Sequence, residues 1–278
     1  MMEKQSTKIF YNIMIGLTVV VVTFPLYWMV YTTILPSHDV YSWPPKVIPP
    51  SVDITGYIRI FAERPLLLTW AVNTVIVGIL TVMFSVPPAV LGAYAFYRFN
   101  FRGREALFNM LFILMITPAA VLIVPYYQLL SSMKLTNNLL GLSFAYTTFT
   151  VPTNTVLFYT FLFSIPQALE EAALIDGCSI FGSFRRIVLP LSKPGIIAIC
   201  VNSLSLAWNE FMFAVTLLSK EQSYTAVPGV YSFIGEWTLM WEKAMIASVY
   251  FSIPLIVFFF LTQKYFITGL TAGALKGV

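Results

Sequence analysis

The chain has 278 residues, of which 58% are hydrophobic and only 10% are charged, and its formal net charge is +4. A mean hydropathy of +0.81 indicates a membrane protein and excludes a soluble, collagen-like or intrinsically disordered chain. Two cysteines, Cys178 and Cys200, are too few for a fold that disulfides hold together.

Six stretches with at most one charge are long enough to cross a bilayer, which takes about 20 apolar residues as a helix. The first run is too long for the apolar core of a signal peptide and has no small-residue cleavage site, so it is expected to remain as a helix. The sequence therefore predicts an all-α membrane protein with a single transmembrane domain, residues 1–278. Its six transmembrane helices are predicted at residues 9–35, 66–97, 106–132, 138–164, 194–219 and 244–264.

Basic residues predict the orientation of these spans. If both termini are inside, the internal segments hold ten of the 16 Lys and Arg residues and the external segments hold the other six. Three arginines crowd the short internal loop 98–104, where the positive-inside rule is strongest. We therefore expect an N-in, C-in protein with external loops at 36–64 and 220–243 and a cytoplasmic tail at 265–278.

Seven prolines interrupt the predicted spans: Pro25, Pro87, Pro88, Pro118, Pro125, Pro152 and Pro254. Membrane helices tolerate proline where neighbouring groups or water satisfy the freed carbonyls, so ordinary kinking is one interpretation. A bundle that lines a cavity or bends between two states is the other. In the external loop 36–64, apolar residues between Ile54 and Phe61 recur at helical spacing and predict a helix in the membrane interface.

The internal segment 165–193 has the pattern of two short helices joined by a glycine. Pro166 suits the first turn of a helix, and the glutamates and alanines that follow are good helix formers. Gly177 stands where a left-handed C-cap would end that helix. A second short helix, about 179–188, is expected to follow and to stop at Pro190. The segment is therefore predicted to be a cytoplasmic two-helix loop between spans four and five.

This segment contains a spaced set of residues: Glu171-Ala172-Ala173, Asp176-Gly177, Ile187 and Leu189-Pro190. The set resembles the EAA loop of binding-protein-dependent ABC importer permeases. Two further segments, Trp208-Asn209-Glu210-Phe211 and Ser252-Ile253-Pro254, and the tail from Gln263 are similar to the carbohydrate-uptake branch of that family, and most of all to its maltose-type second permease (MalG-like). The resemblance extends from the first span to the tail, with Cys178 where alanine or a similarly small residue is usual.

The resemblance implies a permease subunit of an ATP-driven importer for a mono- or oligosaccharide in a bacterial or archaeal plasma membrane. The implied partners are a companion permease in a heterodimer, two cytoplasmic ATPase subunits and an external solute-binding protein. The loop would dock on an ATPase, where carboxylates can pair with basic groups and alanines allow close approach. The residues expected to couple the ATPase to transport are Glu170, Glu171, Ala172, Ala173, Asp176, Gly177, Ile187, Leu189 and Pro190.

Enzymatic and cofactor chemistry have no support in the sequence. No glycine-rich stretch ends in Gly-Lys-Ser or Gly-Lys-Thr, so ATP and Mg are expected on the partner ATPase and not on this chain. His38 is the only histidine, and no Cys or His cluster has the spacing of a metal site. The chain is therefore predicted to be a transport subunit with no metal, no cofactor and no nucleic-acid partner.

Glu210 is the one charge within a predicted span, so it is expected to face the bundle interior or water. A sugar path needs carboxylates, amides and aromatic ring faces in its lining. The candidates for that lining are Asn73, Asn154, Trp208, Asn209 and Glu210. Two alternatives remain open: Asn209 and Glu210 only make hydrogen bonds between helices, or the protein is an ion-coupled secondary transporter whose ion site is Glu210.

Overall fold

A computed structural model describes residues 2–234 and 240–274, together with the side chains of residues 8, 10–234 and 240–263. Every regular element within these residues is a helix, as predicted. A π-helical turn, Phe184–Val188, lies between α9 and α10, and a 3₁₀ turn, Glu221–Ser223, follows α12. The α-helices are α1 (Met2–Thr33), α2 (Ser37–Val40), α3 (Gly56–Glu63), α4 (Leu67–Arg98), α5 (Arg104–Ile116), α6 (Ala119–Ser132), α7 (Leu139–Leu162), α8 (Gln167–Ile175), α9 (Ile180–Ser183), α10 (Leu189–Leu191), α11 (Lys193–Asn209), α12 (Met212–Leu217), α13 (Ala226–Tyr231) and α14 (Trp241–Ala274).

The structure has two compact units, Met1–Leu67 with Val230–Pro254, and Leu68–Gly229 with Leu255–Val278. In the first unit, a cluster of charges attaches α3 to the first turn of α14. The Arg59 guanidinium lies 3.0 Å from the Glu242 carboxylate, and the Lys243 ammonium pairs with Glu63. Ile60 of α3 is only 2% exposed. The helix expected within residues 54–61 is therefore present, and both charge pairing and apolar burial hold it in the first unit.

Three helical stretches are long and apolar enough to cross a membrane: Phe10–Thr33, Leu67–Arg98 and Trp241–Gln263. They coincide with the predicted first, second and sixth spans. Two further candidates are bent helix pairs, Arg104–Ile116 with Ala119–Ser132 and Ile180–Leu191 with Lys193–Asn209. The described residues therefore contain three candidate spans, or five if each bent pair is counted as one.

The predicted fourth span, 138–164, corresponds to α7, which is long enough at 24 residues but contains six threonines and Asn154. A stripe of buried residues at four-residue spacing runs along it, from Leu142 through Tyr146 and Thr150 to Phe158. Because protein and not lipid surrounds this stripe, the helix tolerates polar side chains that a lipid-facing span excludes. Burial within the second unit therefore explains why α7 is too polar to be counted among the candidate spans.

Two predicted spans are divided. Residues 106–132 turn through 96° between α5 and α6. The residue before Pro118, Thr117, is extended with ψ of 121°, since a proline ring disfavours helical backbone at the preceding position. The other six prolines lie inside continuous helices. Residues 194–219 are also not one helix, because α11 ends at Asn209 and α12 begins at Met212.

Among the described residues of the second unit, a polar layer lies between two apolar clusters along the helices. One cluster includes Val77, Tyr146, Ala207 and Phe213, and the other includes Val90, Phe158, Phe184 and Ile199. Between these positions, α4, α7 and α11 contribute Ser85, Asn154 and Ser203. The Asn154 Nδ2 donates a hydrogen bond to Ser203 Oγ at 2.7 Å, and the Ser85 and Ser203 hydroxyls are 3.0 Å apart. These bonds satisfy buried polar groups and fix the three helices against one another.

Candidate functional site

The segment 165–193, called the EAA segment below, contains the expected elbow. The Gly177 N–H donates to the Leu174 carbonyl at 3.1 Å, and the Cys178 N–H donates to the Ala173 carbonyl at 2.9 Å. These two bonds form a Schellman motif at the end of α8. Gly177 has a φ of +85°, in the left-handed region where a side chain would be strained. Pro166 precedes α8 as its N-cap residue, so it lies just outside the first turn.

The arm after the elbow continues further than expected. Ser179 caps α9, because its Oγ accepts a hydrogen bond from the Gly182 N–H at 3.1 Å. The chain then passes through the π-helical turn 184–188 into α10, so Pro190 does not stop it. Pro190 lies near the start of α10, where a missing N–H costs little, and the wider π-helical turn changes the hydrogen-bond register before it.

This second arm is anchored in the apolar interior of the second unit. Phe184 and Val188 are 6% and 3% exposed, and they belong to the same buried cluster as Tyr94 of α4, Phe158 of α7 and Ile199 of α11. The rings of Tyr94 and Phe184 are 4.6 Å apart between centroids. Of the candidate coupling residues in this arm, Ile187 and Leu189 are half-buried and Pro190 is exposed. The arm therefore has a fixed position on α4, α7 and α11.

Glu170 has a partner within the chain. Its side chain is buried, its Oε1 accepts a hydrogen bond from the Tyr94 hydroxyl, and Arg98 Nε lies 3.3 Å from the same oxygen. The expectation that Glu170 pairs with basic groups of an ATPase therefore does not describe this structure. Ala173 is buried as well, since it is 6% exposed. The reason in both cases is the helical period of α8, which turns these two positions towards the rest of the second unit.

The outward surface of the EAA segment, called the exposed EAA face below, is both acidic and apolar. Glu171, Ala172 and Asp176 are exposed. Ile175 and Phe181 are also exposed, at 86% and 67%, and these two were not among the candidates. The spacing of Leu169, Ala172 and Ile175 along one helix face was a signal for an apolar contact surface. The exposed EAA face consists of Leu169, Glu171, Ala172, Ile175, Asp176 and Phe181.

Glu210 lies at the break between α11 and α12. Its Oε1 accepts a hydrogen bond from the Phe213 N–H at 2.9 Å, and its Oε2 accepts from the Ala214 N–H at 3.1 Å. The Tyr146 hydroxyl of α7 donates to Oε2 at 2.8 Å. The carboxylate thus satisfies N–H groups that the start of a helix leaves unpaired, where a negative charge is also favoured. This capping explains how a helix break is tolerated within the predicted fifth span, 194–219.

The other candidates for a sugar path lie in different surroundings. Asn73 donates two hydrogen bonds of 2.9 Å to the carbonyls of Gln222 and Tyr224, and Asn154 belongs to the buried polar layer. Asn209 is exposed, and its Nδ2 donates to the Ser205 carbonyl within α11. Trp208 is half-buried. The chain therefore places Trp208, Asn209 and Glu210 together at the break. Asn73 instead connects α4 to the loop after α12, and Asn154 connects α7 to α11.

Comparisons with known proteins agree with the resemblance seen in the sequence. A family model described as "Binding-protein-dependent transport system inner membrane component" matches residues 85–271. The chain is 31% identical to the diacetylchitobiose uptake system permease protein DasC of Streptomyces coelicolor, over 91% of this chain and 92% of that one. It is 29% identical to the trehalose/maltose transport system permease protein MalG of Thermococcus litoralis, over 94% of each chain.

The fold also has a counterpart among solved structures. A chain of a bacterial ABC transporter involved in the import of the acidic polysaccharide alginate superposes with a TM-score of 0.80 and 22% identity, over 95% of this chain and 98% of that one. The family match contains both the EAA segment and the break at Glu210. The resemblance to importer permeases is thereby confirmed, and the ion-coupled alternative is not favoured. This protein belongs to the family of binding-protein-dependent transport system inner membrane components, and it is a membrane-embedded transport subunit and not an enzyme.

Proposed function

We propose that this chain imports a mono- or oligosaccharide as one permease of a heterodimeric, ATP-driven complex. The observation that carries the proposal is the EAA segment, a capped helix and a left-handed glycine elbow with one buried arm and one exposed face. The names of relatives support a carbohydrate as the solute. They include uptake permeases for diacetylchitobiose, for trehalose and maltose, and for the arabinooligosaccharides of Halalkalibacterium halodurans.

The exposed EAA face is the proposed docking surface for an ATPase subunit. Ile175 and Phe181 supply apolar side chains that an ATPase cleft can bury, and Glu171 and Asp176 supply charges for basic groups at its rim. ATP and Mg bind to the two ATPase subunits in this scheme. When these subunits close on ATP, they move the exposed face, and the rigid elbow at Gly177 transmits the movement to the buried arm.

The proposed arrangement in the membrane has six spans with both termini in the cytoplasm. The distribution of basic residues supports it, because it places the arginine-rich loop 98–104 and the EAA segment on the ATPase side. The bent pair α5 and α6 is counted as one span in this arrangement, and α7 is counted as a span shielded by protein. An external binding protein would then deliver the sugar from the side of residues 36–64.

The break at Glu210 is the proposed contribution of this chain to the substrate path. A broken helix exposes polar backbone and side-chain groups at membrane depth, which is acceptable where they line a cavity. Trp208 and Asn209 lie next to the break and offer an aromatic face and an amide to a sugar. Asn73 and Asn154 are assigned to helix and loop contacts because their side chains are buried and donate hydrogen bonds to other parts of the chain, whereas Asn209 is exposed.

Co-purification tests the proposed assembly. The complex is extracted gently from its native membrane through a tag on this chain, and its components are identified by mass spectrometry. We expect a second permease in an amount equal to this chain and two ATPase subunits per permease pair, and the sugar carried by the accompanying binding protein names the solute. Recovery of this chain alone or as a homo-oligomer, with no ATPase in any detergent, would contradict the proposal.

A further inference from the structure

Tyr94 connects α4 to both arms of the EAA segment. Its hydroxyl donates a hydrogen bond to Glu170 on α8, before the Gly177 elbow. Its ring lies 4.6 Å from the ring of Phe184, after the elbow. Tyr94 and Phe184 are each 6% exposed, so these contacts are buried. A single side chain of α4 therefore contacts the segment on both sides of its elbow.

Arg98, one turn further along α4, supplies the counter-charge for the buried carboxylate. Its Nε lies 3.3 Å from Glu170 Oε1 and is itself buried, with no hydrogen bond to the part of the chain that the structure describes. The Glu170 side chain is 8% exposed, and a charge in such a position is costly when its partner is removed. Glu170 and Arg98 therefore require each other, and separation of α8 from α4 would leave both unpaired.

These contacts distinguish two adjacent carboxylates of α8. Glu171 is exposed and belongs to the exposed EAA face, whereas Glu170 points into the second unit. α4 is also one of the three helical stretches long and apolar enough to cross a membrane. The buried carboxylate thus joins a short surface helix to the end of a long candidate span.

We propose that Tyr94, Arg98 and Glu170 are positioning residues that transmit movement between the EAA segment and α4. The proposal rests on the proposed function, in which an ATPase moves this segment. The hydrogen bond and the ion pair hold α8 on α4. The contact between the rings of Tyr94 and Phe184 holds the second arm on α4 as well. The two arms and the end of α4 therefore move as one body, and a signal from the external side reaches the ATPase through this buried contact.

Conservative variants isolate this contact. Tyr94→Phe removes the hydroxyl and keeps the ring that packs on Phe184, and Glu170→Gln removes the charge. Tyr97→Phe is the matched control, because the Tyr97 ring packs 5.2 Å from Phe163 and its hydroxyl makes no hydrogen bond within the described residues. Glu105→Gln on α5 is the control for the carboxylate, since Glu105 is exposed and forms no ion pair with any described residue.

The measurement is the stimulation of ATP hydrolysis in the complete complex, reconstituted in lipid vesicles, by the binding protein that co-purifies with it. We expect stimulation to fall about tenfold in both variants, because Tyr94→Phe loses a hydrogen bond to a buried charge and Glu170→Gln loses the ion pair with Arg98. Both controls should keep the wild-type stimulation. The amount of ATPase recovered with each variant should equal that of the wild type, since the exposed EAA face is unchanged.

A rescue experiment separates transmission from a loss of folding. Arg98→Met leaves the Glu170 charge buried and unpaired, so the double variant Arg98→Met with Glu170→Gln should recover assembly of the complex relative to Arg98→Met alone. Its stimulation should stay as low as that of Glu170→Gln, because the ion pair is still missing. Where the charge variants assemble poorly, Tyr94→Phe decides the question, because it removes a single oxygen atom. Wild-type stimulation in Tyr94→Phe and Glu170→Gln would overturn the proposal.

The same assay distinguishes failure of this proposal from failure of the proposed function. If Gly177→Val abolishes stimulation while Tyr94→Phe and Glu170→Gln leave it intact, the EAA segment couples to the ATPase but not through Tyr94 and Glu170. If Gly177→Val also keeps full stimulation, the segment does not couple at all, and the proposed function is contradicted together with the role of Tyr94.

Discussion

The Tyr146 hydroxyl donates a hydrogen bond of 2.8 Å to the Glu210 carboxylate. This bond connects the middle of α7 to the residue directly after the end of α11. Tyr146 is completely buried, and the same carboxylate caps the first turn of α12. The Glu210 side chain thus fixes both a helix break and a contact between helices. Glu210 is the one charged residue within a predicted span, and in the structure its side chain accepts hydrogen bonds from three residues.

Replacing Glu210 tests this arrangement. Glu210→Gln keeps the size of the side chain but leaves only one acceptor oxygen, so it cannot cap α12 and bind Tyr146 as before. We expect a loss of about 1–3 kcal/mol in the free energy of unfolding, because a buried polar group is left unsatisfied. Thermal unfolding in detergent measures the loss. Tyr146→Phe should cost less, and the double variant should show strong non-additivity; additive losses would mean that the two residues do not interact.

Gly141 gives a prediction on packing that is independent of function. A Cβ at this position would lie 2.1 Å from the backbone oxygen of Leu135, and backbone cannot move aside as a flexible side chain does. Gly141→Ala should therefore destabilise the protein by about 1–3 kcal/mol or more. Gly92→Ala is the matched control, because its Cβ would meet only Thr155 at 3.7 Å. Equal unfolding temperatures for the two variants would contradict the packing of α7 on the preceding turn.

The attachment of α3 to α14 should depend on pH. A hydrogen bond from Lys243 lowers the pKa of Glu63, with further lowering by Arg59. Because this folded-state pKa lies below the unfolded value, the contribution of Glu63 is complete above about pH 4.3 and is lost as pH falls through the lowered pKa. Hydrogen-exchange protection factors of residues 56–63 measure this change. In Lys243→Met the loss should begin at a higher pH, and an identical profile in wild type and variant would contradict the pairing.

The exposed EAA face gives a prediction on assembly. Ile175 is 86% exposed, so Ile175→Asp should leave the stability of this chain nearly unchanged. If an ATPase cleft buries that side chain, the variant should bind the ATPase about tenfold or more weakly, as expected for the loss of an apolar anchor. The yield of ATPase recovered with a tagged chain measures this. Ile58→Asp on α3 is the control, since Ile58 is 80% exposed; equal recovery from both variants would exclude Ile175 from the docking surface.

The parts of the structure that local sequence predicts correctly have local causes. The helical class follows from long apolar runs, and the elbow at Gly177 follows from a helix-forming stretch that ends in glycine. The partners of Glu170 and Glu210 come from far away in the chain, 76 and 64 residues distant at Tyr94 and Tyr146. No periodicity or spacing signals such contacts, so the inward direction of Glu170 and the break at Glu210 were not predictable.

The Gly177 elbow is the most direct test of the central claim, that the EAA segment couples ATP hydrolysis to sugar import. Gly177→Val forces a β-branched residue into the left-handed region at a cost of about 1–2 kcal/mol. Gly103→Val is a matched control, because Gly103 has a φ of +88° and equally open surroundings, outside the EAA segment. The measurement is the amount of sugar imported per ATP hydrolysed by the complex in lipid vesicles. We predict that this ratio collapses in Gly177→Val and persists in Gly103→Val; an unchanged ratio in Gly177→Val would contradict the account.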